Sequence, residues 1–340
     1  MATRRGRMRA AVLLAVASLA VIAAACRRGD SGATNASKTA TAAPAGIGRG
    51  ATPAARDQVS AASCETPLPH AAGNASETLR SGGLDRAYVL HVPPSYDGTR
   101  RMPLVLTLHG FGSNGRQQAI YSGLPAKGDR EGFIVVSPDG TGTPLHWTYP
   151  GLGDVDDVAF IRELLDRLVG TLCIDAKQVF VSGMSNGAAF SQRVACAMPE
   201  RIAAVAAVTA LVYPWDCATG AAISVIGFQG TADPCVPFEG GTSQCGQRLL
   251  VPPIEESLRK WALHDGCEAA PTEQHVSEHV RKIAYGACSG GTAVVLFVIE
   301  GGGHTWPGSI DVARLGATTR EVNATDQIWQ FFAAQAAARQ

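Results

Sequence analysis

The chain has 340 residues, of which 46% are apolar and 17% charged, a balance that excludes a disordered protein and leaves enough apolar side chain for a sizeable core. Its formal net charge is +0, and no basic stripe interleaved with aromatics occurs. Nothing in the charge therefore draws it to nucleic acid or to an anionic membrane.

Arg4, Arg5, Arg7 and Arg9 precede an apolar run from Ala10 to Ala25, which predicts a secretory signal over residues 1–25, too short and wrongly flanked for a membrane span. Ala23 and Ala25 suit ordinary signal cleavage. The small residues before Cys26 also resemble a bacterial lipoprotein signal, in which Cys26 carries the lipid, although Ala23 stands where Leu is more usual. Residues 26–63 are mostly Ala, Thr, Ser, Gly and Pro and read as a flexible linker. A single α/β domain is expected over residues 64–340, exported to the periplasm or outside the cell.

Of nine cysteines, setting Cys26 aside leaves an even number, which in an exported protein suggests disulfides. Nearness in sequence pairs Cys235 with Cys245 and Cys267 with Cys288. A zinc site is the rival reading, but the chain has no CxxC pair.

Strands are expected over 87–92, closed by Pro93-Pro94, and over the continuous apolar runs 103–108 and 133–136. Val155, Val158, Ile161, Leu165 and Leu168 lie at helical spacing. The pattern continues as strand 179–181, helix 188–197, strands 203–208 and 223–228, helix 254–262, strand 293–299 and a last helix from Gln327. Alternating strands and helices predict a mostly parallel sheet covered on both faces, with an antiparallel edge formed by the opening strands.

Ser185 stands between Gly183 and Gly187 where a strand gives way to a helix. Strand–Gly-x-Ser-x-Gly–helix is the nucleophile elbow, in which the glycines allow a strained turn that lifts the serine above the sheet. A helix-capping serine is the alternative. A serine nucleophile needs a base, itself oriented by a third group. In chain order the acid should follow the serine and the histidine should come last. Asp233 leaves the end of strand 223–228, and His304 follows strand 293–299 on a glycine run, both at the carboxyl ends where α/β sites are built. His70, His91 and His264 read as packing or surface residues. His109 begins the loop His109-Gly110-Phe111-Gly112, which supplies an oxyanion hole. Phe111 is expected to give one backbone N–H, with Gly110 the alternative, and Asn186 the other.

His275-Val276-Ser277-Glu278-His279 matches an inverted zinc-peptidase signature, but that chemistry requires a helix and this segment reads as an irregular strand. Asp154, Asp156 and Asp157 suggest calcium only weakly, because carboxylates are at home at a helix N-terminus.

These pieces resemble the secreted esterases that group polyhydroxybutyrate depolymerases with feruloyl and acetylxylan esterases. The matching stretches are YVLHVPPSYDG, PLVLTLHGFGSNG, VDDVAFI, VFVSGMSNGAAF, GTADPCVPFEGG and IEGGGHTWPG. The resemblance implies an α/β-hydrolase fold, Ser185 as nucleophile, His304 as general base and acid, Asp233 as its orienting carboxylate, and no cofactor. It implies hydroxybutyrate-type oligoesters or feruloyl and acetyl esters as substrates, and Trp147 and Trp306 are expected either to line the substrate pocket or to pack. The other readings are an inactive exported binding protein on the same scaffold and a zinc hydrolase built on His275, Glu278 and His279.

Overall fold

The short apolar runs occupy the middle of a ten-stranded sheet, where both faces are covered and no polar alternation is required. The computed structural model describes residues 64–149, 153–217 and 220–338. The expected signal over 1–25, the linker over 26–63 and Cys26 lie outside the described residues. In chain order the elements are β1 (Gly73–Ser81), β2 (Leu84–Val92), β3 (Met102–Leu108), α1 (Gly115–Ser122), α2 (Leu124–Glu131) and β4 (Ile134–Pro138). There follow α3 (Asp157–Thr171), β5 (Ile174–Met184), α4 (Asn186–Ala197), β6 (Ala204–Val208) and β7 (Ser224–Gly230). The short β8 (Gly241–Thr242) and β9 (Leu250–Val251) form a separate pair. The rest comprises α5 (Ile254–His264), β10 (Thr272–His275), β11 (Val280–Tyr285), β12 (Val294–Ile299) and α6 (Ala324–Ala338).

The strand order is β1-β2-β4-β3-β5-β6-β7-β12-β11-β10. From β4 to β12 every neighbouring pair is parallel, and the outer pairs on both sides are antiparallel. The expected mostly parallel sheet with an antiparallel edge is therefore present, with a second antiparallel edge at the other end.

Alternation along β5 sorts the core into two layers. Val179 and Val181 face a cluster shared with Phe160, Leu164 and Leu168 of α3, Phe190 of α4 and Trp261 of α5. Phe180 points the other way, stacking on Phe332 of α6 at a centroid distance of 4.5 Å. Each such side chain, fully buried, contributes about 1.5–3 kcal/mol relative to exposure.

Among the elements additional to the sequence reading are β1, α1, α2 and the short pair β8 and β9. β1 has a polar sequence and alternates in exposure along its length, so no apolar run announces it. Its hairpin with β2 turns at Gly82 and Gly83, both at positive φ, which is the two-residue turn chemistry that strand twist favours. Helices α1 and α2 are one pair of turns each and mainly polar; Asn114 caps α1 by accepting the Gln117 N–H at 2.9 Å.

All eight cysteines of the described residues are paired. Cys235–Cys245 and Cys267–Cys288 are as expected from proximity, and Cys64–Cys173 and Cys196–Cys217 complete the set. The HxxEH segment is a hairpin: His275 ends β10, opposite Arg281 of β11, and His279 lies in the turn with its ring hydrogen-bonded to Glu321 at 2.7 Å. A hairpin does not place both histidines on one helix face, and the zinc signature loses its structural condition. Asp156 caps α3 by accepting the Ala159 N–H at 2.9 Å, and Asp157 is a buried partner of Arg86 at 2.6 Å, so the acidic cluster has a structural use.

Candidate active site

Strands β3, β5, β7 and β12 all end at the same edge of the parallel sheet, and the loops leaving them carry the residues singled out above. Ser185 joins β5 to α4 with φ 57° and ψ −122°, one of three non-glycine residues at positive φ among the described residues. A side chain in that region is strained, and such strain persists only where the surroundings impose it. Here the Ser185 N–H donates to the Val208 carbonyl at 2.9 Å, while its own carbonyl accepts the Ala189 N–H at 3.0 Å as the first helical bond of α4. The flanking glycines are needed for space rather than for φ. A Cβ on Gly183 would lie 2.2 Å from the Gly187 carbonyl oxygen, and one on Gly187 would lie 2.2 Å from that of Leu108. The Ser185 side chain makes no cap hydrogen bond, contrary to the capping alternative.

Asp233 follows β7 and is buried. Its Oδ1 accepts the N–H groups of Cys235 and Val236 at 2.7 and 2.8 Å, and its Oδ2 accepts from Gln229 Nε2 at 3.0 Å. The same Oδ2 lies 2.8 Å from His304 Nδ1. Four hydrogen-bond partners converging on one carboxylate hold it in a single orientation. His304, 4% exposed, is placed through its backbone: its N–H donates to the Leu315 carbonyl at 2.6 Å, and the neighbouring Gly303 N–H donates to Ala317 at 2.9 Å. Among the described residues, the one cluster of three metal-ligand types is Asp233, Cys235 and His304. Cys235 is bonded to Cys245 and offers no thiolate, so the cluster does not read as a metal centre.

Ser185 and His304 line one cavity of about 620 Å³. Gly110, Phe111, Tyr121, Ile310 and Leu315 contribute to its wall. A Cβ on Gly110 would come 3.3 Å from that of Ser185, which brings the loop after β3 against the serine. His109 fixes that loop. Its Nε2 accepts the Gly140 N–H at 2.9 Å, so Nδ1 carries the proton and donates to the Gly110 carbonyl at 2.8 Å. Burial lowers the pKa of this ring and keeps it neutral. Among the described residues, the backbone N–H groups of Phe111 and Asn186 find no acceptor outside the regular elements. Phe111 lines the cavity together with Ser185, and Asn186 follows the serine in the chain.

Trp147 and Trp306 are placed differently from the substrate-lining expectation. Each is 0% exposed and neither reaches the cavity wall. Trp147 stacks on Phe190 at 5.0 Å and donates its indole N–H to the His109 carbonyl at 3.0 Å. Trp306 packs with α6 and donates to Thr325 Oγ1 at 2.9 Å. Each indole N–H had to find a partner inside, and each did, which makes both residues packing groups behind the site.

Sequence reasoning assigned no role to Gln229, and did not find the wall built by α1 and by the segment around Ile310 and Leu315. Gln229 precedes Asp233 by four residues at the end of a buried strand, and a glutamine in such a run was the available signal, since a buried amide requires partners. The wall residues carry no chemical signature.

Residues 86–241 match the family model described as Esterase PHB depolymerase. The feruloyl esterase B of Piromyces equi is 27% identical over 229 residues, covering 64% of this chain but only 42% of that longer protein. The putative esterase NocK of Nocardia uniformis is 29% identical, covering 78% of this chain and 84% of that one. A probable feruloyl esterase C of Aspergillus niger is 27% identical, covering 73% and 84%. Among solved structures, the acetyl xylan esterase of Aspergillus awamori superposes with a TM-score of 0.54 at 16% identity, over 76% of this chain and 99% of that one. That likeness, with the large mostly parallel sheet, shows the α/β-hydrolase fold.

Proposed function

We propose that this chain, which carries an Esterase PHB depolymerase domain, is an exported serine carboxylic-ester hydrolase with Ser185, His304 and Asp233 as its catalytic triad. The observation that carries the reading is the buried Asp233–His304 hydrogen bond of 2.8 Å, with His304 and the strained Ser185 facing one cavity.

His304 takes the Ser185 proton on Nε2 as the hydroxyl attacks an ester carbonyl. Asp233 holds Nδ1–H and stabilises the imidazolium that forms. The carbonyl oxygen gains negative charge and rests on the N–H groups of Phe111 and Asn186, a kind of donor typically worth about 2.7–4 kcal/mol in the transition state. His304 then returns its proton to the leaving alcohol. Water repeats the sequence in reverse on the acyl-Ser185, releasing the acid and restoring the serine. The residues need no metal or organic cofactor for these steps.

The family and the relatives support hydroxybutyrate-type oligoesters or feruloyl and acetyl esters of plant-wall polysaccharide as substrates. Four disulfides suit an oxidising compartment and support export, with a lipid on Cys26 as the tether if the lipoprotein signal is used.

The test is turnover of an activated ester by the purified protein and by Ser185→Ala. The variant should be slower by on the order of a millionfold, with wild-type activity abolished by a serine-directed phosphonate and untouched by a chelator. Equal rates in the two proteins, or none in the wild type, would overturn the triad and leave a binding protein. Assays on feruloyl, acetyl and hydroxybutyrate esters then name the substrate class.

A further inference from the structure

The cavity wall holds one permanently charged side chain, Arg314. The remaining lining is glycine, apolar, or uncharged polar, apart from His304 itself. Arg314 is exposed and has no carboxylate within ion-pair distance among the described residues. The nearby Asp311 instead pairs with Arg320 at 3.2 Å.

Arg314 is not on a loose flap. The Leu315 carbonyl, one residue on, receives the His304 N–H, and the Leu315 N–H donates to Val312 at 2.8 Å. Gly303 packs so closely beneath this segment that a Cβ there would lie 2.3 Å from the Leu315 oxygen. The guanidinium is therefore carried by backbone that is hydrogen-bonded to the backbone of the histidine that lines the cavity with Ser185. Two exposed isoleucines, Ile120 at 67% and Ile310 at 61%, line the same cavity and offer apolar surface for a chain between the two ends.

An uncompensated guanidinium in an otherwise uncharged cavity favours an anion there, and its planar fork matches a carboxylate in two parallel hydrogen bonds. From this we infer that Arg314 selects esters that bear a free carboxylate elsewhere on the same molecule, such as the acid end of a hydroxyacid oligomer. The inference rests on the esterase reading above and names a substrate class within it. Hydrolysis of an oligoester itself generates such carboxylate ends, so each product of one turnover is a candidate for the next.

The experiment compares four esters: 4-nitrophenyl butyrate with 4-nitrophenyl hemisuccinate, and phenyl butyrate with 4-carboxyphenyl butyrate. The first pair places the carboxylate on the acyl side, the second on the alcohol side. Each is measured with wild type, Arg314→Gln and Arg314→Lys, and the variant-to-wild-type ratio of kcat/KM removes the intrinsic reactivity of each ester. Arg314→Gln should lower kcat/KM about three- to tenfold on at least one carboxylate ester and leave both neutral esters unchanged, as expected for a partly solvated ion pair. Arg314→Lys should restore part of the loss, and about 0.5 M sodium chloride should shrink the wild-type advantage. Equal ratios for neutral and anionic esters would overturn the inference while the esterase reading stands. No wild-type turnover of any of the four would overturn both.

Discussion

Asn186 holds Trp147 by both of its backbone groups: the amide oxygen accepts the Trp147 N–H at 2.7 Å, and the amide nitrogen donates to the Trp147 carbonyl at 3.2 Å. Tyr149 closes the frame by donating its hydroxyl to the Asn186 carbonyl at 3.0 Å. The residue after Ser185 is thus fixed from outside its own helix. In Asn186→Leu both Trp147 backbone groups lose their partners, at a cost of about 1–3 kcal/mol for each that stays buried. We expect a lower urea midpoint and a fall in kcat with KM little changed, because on the proposed mechanism the displaced N–H is one of the two that meet the transition state. Wild-type values for both would show that the clamp positions nothing.

The glycines flanking Ser185 predict a different behaviour from glycines elsewhere. Gly187→Ala drives a Cβ to 2.2 Å from the Leu108 carbonyl oxygen, and Gly183→Ala does the same against Gly187. Backbone is met on both sides, so the cost should reach or exceed the usual 1–3 kcal/mol of overpacking, with activity lost. Gly170, inside α3, has nothing within 4 Å of its added Cβ. There, alanine should stabilise by up to about 1 kcal/mol through helix propensity. Thermal unfolding of the three variants decides: a Gly187→Ala protein as stable and active as Gly170→Ala would contradict the close packing.

The contrast explains what was readable in the sequence. The strand ends carrying Ser185, Asp233 and His304 were legible because each motif couples a continuous apolar run to a glycine-rich turn, and both signals are local. Polar elements left no such signal: β1 declares itself only through Gly82 and Gly83. The cavity wall was illegible for a further reason. Tyr121 and Ile310 line one cavity in part because the Ser309 hydroxyl donates to the Tyr121 carbonyl across 188 positions of chain, and no spacing rule encodes that contact. For Trp147 and Trp306 the sequence left lining and packing open, because it does not tell which way an aromatic ring points. Only the partners of their indole N–H groups do.

His109 makes the fold sensitive to acid. Burial lowers its pKa below the ordinary 6.5, outweighing the hydrogen bond to the Gly110 carbonyl, which acts the other way. Below about pH 6.5 the unfolded chain takes up a proton at this ring that the folded chain refuses. Its contribution to stability is therefore fully present above that pH and declines as pH falls toward the lowered folded value. His279 works in the opposite sense. Its hydrogen bond to Glu321 raises its pKa, so that its smaller, exposed contribution is present below pH 6.5 and lost as pH rises through the raised value. NMR titration of the two rings should give one midpoint below the free-histidine value and one above it. A His109 ring protonating at the ordinary pKa would mean that the ring is not kept buried in solution.

The disulfides divide into those that secure the chain and one that borders the chemistry. Cys64–Cys173 closes a separation of 109 residues and Cys235–Cys245 one of 10. Chain entropy alone assigns about 5 kcal/mol to the first and about 3 kcal/mol to the second. Activity should rank them the other way. The Cys235 N–H donates to Asp233 Oδ1, Cys245 lines the cavity, and Gly246 beyond it packs on the Phe111 ring. Replacing Cys235 and Cys245 by Ser frees the loop that orients Asp233 and supports Phe111, so kcat should fall about tenfold or more at temperatures where the protein remains folded. The Cys64→Ser/Cys173→Ser variant should unfold at a markedly lower temperature while its kcat, measured well below that temperature, stays near wild type. Reversal of this ranking would place the orienting force on Asp233 in Gln229 and the strand end rather than in the disulfide-closed loop.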